Sequence, residues 1–474
     1  MKSAEVIFLT GVMTPWFERS IGAYQMSNFI KSHGYTTQVI DYIHLIPKET
    51  ILELLKHFTS NETKFLGIST TFLSDQVHVA AEKKKYGKTL RDDFIFVLTE
   101  YKKLYPHVKI VAGGAKAKTL EEYSFVDHII TGYGEIGFLK LIQNENTSKI
   151  ISGDLYLKDF DAQQINHLFC DDDLIFENET LPLEISRGCI FRCKFCAYPL
   201  NGKKKLDHIR DVEHIKKELI NNYEKWGVTN YLISDDTFND SNDKLEMLHK
   251  MITSLPFKIS FVCYLRVDLL YRYRDTQLKL LEEMGLKSCH FGVESFNPET
   301  AKFIGKGMSE DKTKDFLLYL KDRWKNKISF MCTFIFGLPY ESKESCIDTG
   351  NWCLDNDINF WIMPLFINPN NVYRSDIDIN YKLYGYTLEY IDGNIKWQTE
   401  YMNFDEALKM SNTYTDQVVK SLKISAWNKF AIASLGIHTI DELYHLGYQE
   451  LDKQLYSNTI KDKVSQYTRK LLSL

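Results

Sequence analysis

Three cysteines within eight residues, Cys189, Cys193 and Cys196, constrain this chain more than any other feature of its sequence. They stand in the run 184–198, EISRGCIFRCKFCAY, with a C-x3-C-x2-C spacing. Thiolates this close can converge on one metal centre, but three is an unusual number. A closed structural zinc site takes four protein ligands, and a cubane iron–sulfur cluster usually takes four cysteines, one per iron. Three in one tight loop suggest a cluster with one iron left open to a non-protein ligand, and an open metal position marks chemistry more often than scaffolding. A zinc site completed by His208 or Cys170, or three unrelated buried thiols, are the alternatives that the spacing leaves.

Around this loop the chain alternates strand-like and helix-like stretches. Residues 6–9 are a short apolar run that stops at Thr10-Gly11, as a buried strand would, and 21–32 has a helical pattern closed by Gly34. Residues 37–42, 65–70, 109–112 and 128–131 read as further strands, with helices over 49–58 and 91–105. This alternation indicates a doubly wound parallel sheet over 1–150, a fold that binds ligands at the carboxyl ends of its strands. Those ends carry Thr10 and Gly11, Ser69 and Thr70, Gly113 and Gly114, and Gly132, Tyr133 and Gly134. Small and glycine-rich turns let a bulky group approach the backbone. Residues 75–95, rich in lysine, read as an insertion, and 151–182, without clear periodicity, as a linker.

From 183 to 375 six strands are expected, at 183–186, 231–233, 259–264, 288–293, 328–336 and 360–366, with amphipathic helices such as 212–226 between them. Six such repeats suit a partial (β/α)6 barrel, with chemistry gathered at the strand C-termini by analogy with full barrels. Residues 376–474 read as a helical C-terminal region, with helices expected near 403–410, 416–422, 442–451 and 460–472.

The cysteine run resembles the cluster loop of the radical S-adenosylmethionine (radical SAM) enzymes, which share its spacing and an aromatic residue before the last cysteine, here Phe195. The resemblance implies a 4Fe-4S cluster on Cys189, Cys193 and Cys196, with its open iron chelating S-adenosylmethionine and one electron cleaving that molecule to a 5′-deoxyadenosyl radical. It continues at successive strand ends: Ser-Asp-Asp-Thr-Phe at 234–238, Leu-Arg-Val-Asp at 265–268, Gly-Val-Glu-Ser at 292–295 and Phe-Gly-Leu-Pro-Tyr-Glu-Ser at 336–342. There the expected cofactor contacts are Ser234, Asp235 and Asp236 around the ammonium, and Arg266 on the carboxylate. Glu294 or Ser295 is expected on the ribose, with Phe336 and Gly337 against adenine. Upstream, the element order and strand ends resemble the cobalamin-binding domain that precedes the radical core in one class of the superfamily. The resemblance makes Thr10, Gly11, Ser69, Thr70, Gly113, Gly114, Gly132, Tyr133 and Gly134 the expected cobalamin contacts. This part departs from the pattern: no Asp-x-His-x-x-Gly nominates a lower cobalt ligand, and Lys116 stands where an uncharged residue is more usual. The alternative is a docking domain that binds no cobalamin.

A deoxyadenosyl radical abstracts hydrogen from an unactivated carbon, so a substrate C–H is the target. With cobalamin, methylcobalamin can donate its methyl group, and C-methylation is the favoured outcome. Without it, a thiol can return hydrogen to the substrate radical and invert a stereocentre, as in peptide epimerases. Cys332 is the thiol expected for that step, ahead of Cys263 and Cys289, although free cysteine also packs as a small hydrophobe. A non-catalytic cobalamin or cluster sensor is the third reading, and it would not need the ordered contacts at the strand ends. The expected partners are a peptide or small-molecule substrate and an electron donor such as flavodoxin or ferredoxin.

The net charge of −5 and pI near 6.3 give no electrostatic case for nucleic acid. Of the nine cysteines six lie singly, which fits a reducing cytoplasm better than a disulfide framework. No apolar run approaches the roughly 18 residues that span a bilayer, and no signal peptide is read at the N-terminus. A cytoplasmic protein without membrane contact is the expectation.

Overall fold

The structure, a computed structural model, describes residues 3–12, 18–71, 90–114, 116–156, 161–325, 327–391 and 394–474. Most of the lysine-rich 75–95 stretch therefore lies outside the described residues. Two compact units divide the chain: Met1–Pro182 with Glu213–Val228 and Lys453–Leu474 form one, and Leu183–Val212 with Thr229–Asp452 form the other.

The first unit is built on β1 (Val6–Leu9), β2 (Thr37–Ile40), β3 (Phe65–Ser69), β4 (Lys109–Gly113), β5 (His128–Thr131) and β6 (Ile150–Ser152). Their order is β2-β1-β3-β4-β5-β6 and every pairing is parallel. β1 and β2 are buried at every position, as expected of parallel strands covered on both faces. The strand order reverses between β1 and β3, and such a switch point opens a crevice outside the carboxyl ends. β6 starts at the edge of the expected linker. It pairs Ile150 with Ile129 and Ile151 with Ile130, but three residues are too few to show periodicity.

The helix Lys453–Ser473 belongs to this unit, not to a separate C-terminal region. The reason is a buried polar network. Arg19 and Glu179, both with fully buried side chains, pair at 2.7 Å, and Arg19 donates to the Tyr24 hydroxyl, which donates to Asp41 at 2.7 Å. The Asp41 amide donates to the Tyr467 hydroxyl at 2.9 Å, and the Tyr467 ring meets Tyr42 edge-on at 5.1 Å. Burial pushes the Asp41 carboxyl up to about 6, against the pull of the Arg19 guanidinium. Tyr467→Phe should lower the stability of this unit by about 1–3 kcal/mol, the cost of a buried amide left without an acceptor. An unchanged urea midpoint would show that the hydroxyl contributes nothing.

β7 (Thr180–Leu183) ends on the first residue of the second unit, which carries β8 (Asn230–Ile233), β9 (Ser260–Leu265), β10 (Leu286–Glu294), β11 (Ser329–Phe336) and β12 (Phe360–Pro364). They line up in chain order, with parallel pairing from β8 to β12, giving a partial (β/α)6 barrel. The expected strand at 183–186 is displaced: β7 ends at Leu183 because the next amides turn to a side chain, as described below. Phe291 of β10 stacks on Trp324, which follows the helix Glu310–Arg323, so this face of the sheet meets the helix layer. The alternate residues Tyr264, His290, Thr333 and Trp361 form the inner face by register.

After β12 the chain forms a hairpin, β13 (Thr387–Ile391) with β14 (Asn394–Gln398), that the helical expectation did not contain. The helix Phe404–Ser421 is continuous, started by reciprocal capping between Asn403 and Glu406. The helix expected at 442–451 is two short 3-10 turns, Glu442–Tyr444 and Tyr448–Glu450, with Gly447 between them. The helix Ala426–Ala433 packs on β8 to β11, and the nearby Tyr444 hydroxyl donates to the Lys287 carbonyl at the amino end of β10. Among the described residues no helix is long and apolar enough to cross a membrane.

Candidate active site: the cysteine loop and the strand ends around it

The cysteine loop leaves β7 through a buried carboxylate. Asp235 Oδ1 accepts the amides of Ile185 and Ser186, both at 2.9 Å, and Oδ2 accepts the Ser186 hydroxyl at 2.6 Å. Behind it the buried Lys244 ammonium lies 2.6 Å from Asp240 and 3.5 Å from Asp235. Burial alone would lower the Lys244 pKa, and the two carboxylates outweigh it and hold it above the ordinary lysine value. Gly188, at φ +74°, lets the loop pass Leu200, whose Cβ would lie 2.5 Å from an added Cβ. The loop then closes on itself, with Gly202 and Lys203 amides donating to the Cys189 carbonyl at 2.7 and 3.2 Å.

The three thiols are half-buried and form no disulfide. Each sulfur has a polar neighbour. Cys189 Sγ lies 3.3 Å from Thr237 Oγ1, the Arg266 guanidinium donates to Cys193 Sγ at 3.3 Å, and the Asn201 amide donates to Cys196 Sγ at 3.1 Å. Among the described residues no three His, Cys, Asp or Glu side chains come together as ligands of a single ion. Three separate thiols in one loop, each supplied with a polar partner, suit a cubane that takes one thiolate per iron.

The residues expected around S-adenosylmethionine divide into two groups. Ser234 is exposed and Asp236 and Phe195 are partly open. Burial, then the neighbouring Asp235 carboxylate, push Asp236 up to about 6. Glu294 sits at φ +71° beside a register shift in β10, and such bulges re-aim side chains next to active sites. Its carboxyl, pushed up by burial, lies 3.5 Å from the Lys306 ammonium. Lys306 also donates to the Gly292 carbonyl at 2.6 Å and lies 5.8 Å from the centre of the Phe195 ring. Sequence reading missed Lys306; its only signal was a basic residue directly after Gly305, which closes the helix Pro298–Ile304.

The other group is engaged in holding the scaffold. Asp235 binds the loop backbone rather than facing an open site. Arg266 is paired with Asp268 through two bonds of 2.9 and 2.7 Å, donates to the Gly305 carbonyl, and stacks 3.7 Å from the centre of Phe191. Ser295 donates to the buried Glu341 at 2.5 Å, and Glu341 also accepts the Gly337 amide. Phe336 is fully buried, and Gly337 lies under Trp397, with its carbonyl accepting the Tyr386 hydroxyl at 2.7 Å. The hairpin thus covers the turn expected against adenine. Cys332 differs from its expected role: it pairs in register with Phe291 and is fully buried on the helix-facing side, with burial holding its thiol well above the ordinary range.

In the first unit the expected strand ends do gather on contiguous strands. Thr70 donates to the Gly113 carbonyl through both its amide and its hydroxyl, each at 2.8 Å. Gly114, at φ +95°, stands where an added Cβ would meet the Thr71 hydroxyl at 2.8 Å, whereas no atom of the described residues lies within 4 Å of a Cβ on Gly113. Gly132 is at φ +76°; Tyr133 and Gly134 follow it, Gly134 opening the helix Glu135–Ile142. Thr10 and Gly11 are buried after β1, Ser69 ends β3, and the Thr10 hydroxyl has no hydrogen-bond partner among the described residues. Lys116 follows the same turn, and burial lowers its ammonium to about 8. The open space at Gly113 and the buried Thr10 hydroxyl fit a bulky ligand lying over these ends.

The model of the Radical SAM superfamily matches residues 183–353. An uncharacterized methyltransferase of Pyrococcus horikoshii is 25% identical over 331 residues, which are 65% of this chain and 67% of that protein. Among solved structures, the radical S-adenosylmethionine methyltransferase TsrM from Kitasatospora setae, with cobalamin and a [4Fe-4S] cluster bound, matches 99% of both chains at a TM-score of 0.67 and 13% identity. The cobalamin-dependent S-adenosylmethionine radical enzyme OxsB matches 80% of this chain and 55% of its own at a TM-score of 0.51 and 15% identity. At these identities the two structures speak to the fold.

Proposed function

We propose, from the radical SAM domain that residues 183–353 of this chain form, that this radical SAM enzyme methylates a carbon of a small-molecule or peptide substrate with cobalamin as methyl carrier. One observation carries the reading. A three-cysteine loop at the head of a partial barrel shares a chain with a parallel sheet whose contiguous strand ends are glycine- and threonine-lined and open at Gly113. The similarity to TsrM, which holds both groups, supports it. So does the methyltransferase name of the Pyrococcus horikoshii relative.

Cys189, Cys193 and Cys196 would hold the cluster, which when bound supplies the electron for S-adenosylmethionine cleavage, while cobalamin supplies the methyl carrier. The chain's own residues have separate tasks. Asp235 holds the loop entry, and Arg266 places a positive charge on Cys193. Ser234, Asp236 and the Glu294–Lys306 pair offer acceptors and a cation for the polar end of S-adenosylmethionine. Thr10, Gly113, Gly114 and Gly132 would lie against cobalamin. With Cys332 facing the helices, nothing here favours thiol-mediated epimerisation.

The test is anaerobic reconstitution with iron, sulfide and hydroxocobalamin, followed by desalting and an absorption spectrum. The reading expects cobalamin retained at near-equal stoichiometry beside the cluster, and S-adenosylhomocysteine formed with a methylated product. A protein that keeps its cluster and releases all cobalamin would sink the methyl-transfer reading.

A further inference from the structure

We propose that Asp376 and Tyr384, far along the chain from the cysteine loop, form a clasp on Lys194 that positions the loop and neutralises its charge, so that Asp376 sets how readily the cluster is reduced. This rests on the radical SAM reading of the loop. Lys194 lies between Cys193 and Phe195, and its backbone is tied on both sides. Its amide donates to the Ile304 carbonyl at 3.3 Å, and its carbonyl accepts the Ile377 amide at 3.0 Å. Its ammonium donates to Asp376 at 2.9 Å and to the Tyr384 hydroxyl at 3.1 Å. Tyr384 donates in turn to the same carboxylate oxygen, and Asn380 donates to the other at 2.9 Å. The Lys194 ammonium lies 4.8 Å from the centre of Phe303, whose ring meets Tyr384 edge-on.

Every one of these partners lies outside the cysteine run, on the helix Pro298–Ile304 or on the segment 376–384. The clasp therefore holds the middle of the loop, where two ligating cysteines flank Lys194. Its electrostatic role follows from charge. Reduction adds an electron to the cluster, and a cation nearby stabilises the reduced form, since cluster potentials respond to net charge and to hydrogen bonds at the sulfurs. The Asp376 carboxylate cancels the Lys194 cation. Both side chains are more than a third exposed, and ion pairs of that kind add little to global stability. The pair is a positioning device more than a stabilising one, and its removal leaves a folded protein.

The experiment uses the full chain, reconstituted anaerobically, with a potentiometric titration followed by electron paramagnetic resonance and a separate measurement of iron release to a chelator. Asp376→Asn should move the midpoint potential to more positive values and release iron several-fold faster. The double variant Lys194→Met/Asp376→Asn removes the cation as well, so its potential should return toward the original value while iron release stays fast. Asp376→Asn with full cluster content, an unchanged potential and unchanged iron release overturns the proposal. An unaltered protein that assembles no cluster overturns the radical SAM reading beneath it, and the proposal with it. The potential separates the clasp from a structural role, because lost stability alone does not shift the potential of the cluster that remains.

Discussion

Cys193→Ala takes up no cluster, shows no iron–sulfur absorbance in the visible, and forms no 5′-deoxyadenosine from S-adenosylmethionine, while the protein remains folded. In the proposed assignment each of the three thiols would bind one iron of the cluster, so none is redundant. Cys263, Cys289 and Cys332 cannot stand in, since all three are fully buried within the strands of the sheet. The fold survives because Cys193 is half-buried and carries no scaffold bond except the donation from Arg266, which keeps its pairing to Asp268. Visible absorption, iron content and product analysis check this directly. Retention of both absorbance and cleavage would overturn the assignment of the loop.

The second large effect separates two adjacent carboxylates. Asp235→Ala strips the acceptor from the Ile185 and Ser186 amides and takes from the fully buried Lys244 one of the two carboxylates that balance its charge, leaving Asp240. Breaking a buried pair in this way costs about 3–5 kcal/mol, and the loop entry loses its anchor as well. The expected result is a strong fall in the urea midpoint of the second unit together with loss of cluster. Asp236→Asn, next door, should leave stability and cluster content near the original and weaken S-adenosylmethionine binding, because this side chain is partly open and holds no scaffold amide. Equal destabilisation by the two variants would refute the division of labour between them.

That division could not be read from Ser-Asp-Asp-Thr-Phe, where the two aspartates look alike. Which one turns inward depends on amides about fifty residues away. The same carboxylate explains why the first barrel strand was expected too late: Ile185 continues the apolar pattern, but its amide bonds a side chain instead of a neighbouring strand. Strand alternation places Cys332 opposite Met331 and Thr333, yet which face meets the helices is settled by Trp324 against Phe291, a contact between distant segments. Most strands and longer helices were legible within a residue or two, because each is a local apolar period stopped by glycine or a polar turn. The hairpin 387–398 was not, since its strands bury little beyond Trp397, whose ring lies on Gly337. The three cysteines of the loop are local and were therefore legible as one group. Lys306 and the clasp on Lys194 were not, because each gains its meaning from a partner elsewhere in the chain.

The return of Lys453–Leu474 to the first unit bears on how the protein is made. Synthesis runs at about 5–20 residues per second, so the chain between Pro182 and Lys453 takes roughly 15–50 s to emerge. Throughout that interval the edge formed by Asp41 and Tyr42 waits without Tyr467, its amide bonded to water and its aromatic face bare. A fragment cut at Pro182 would lack both the segment Glu213–Val228 and the closing helix. The first sheet is the earliest part of the molecule to be made and the last to be finished.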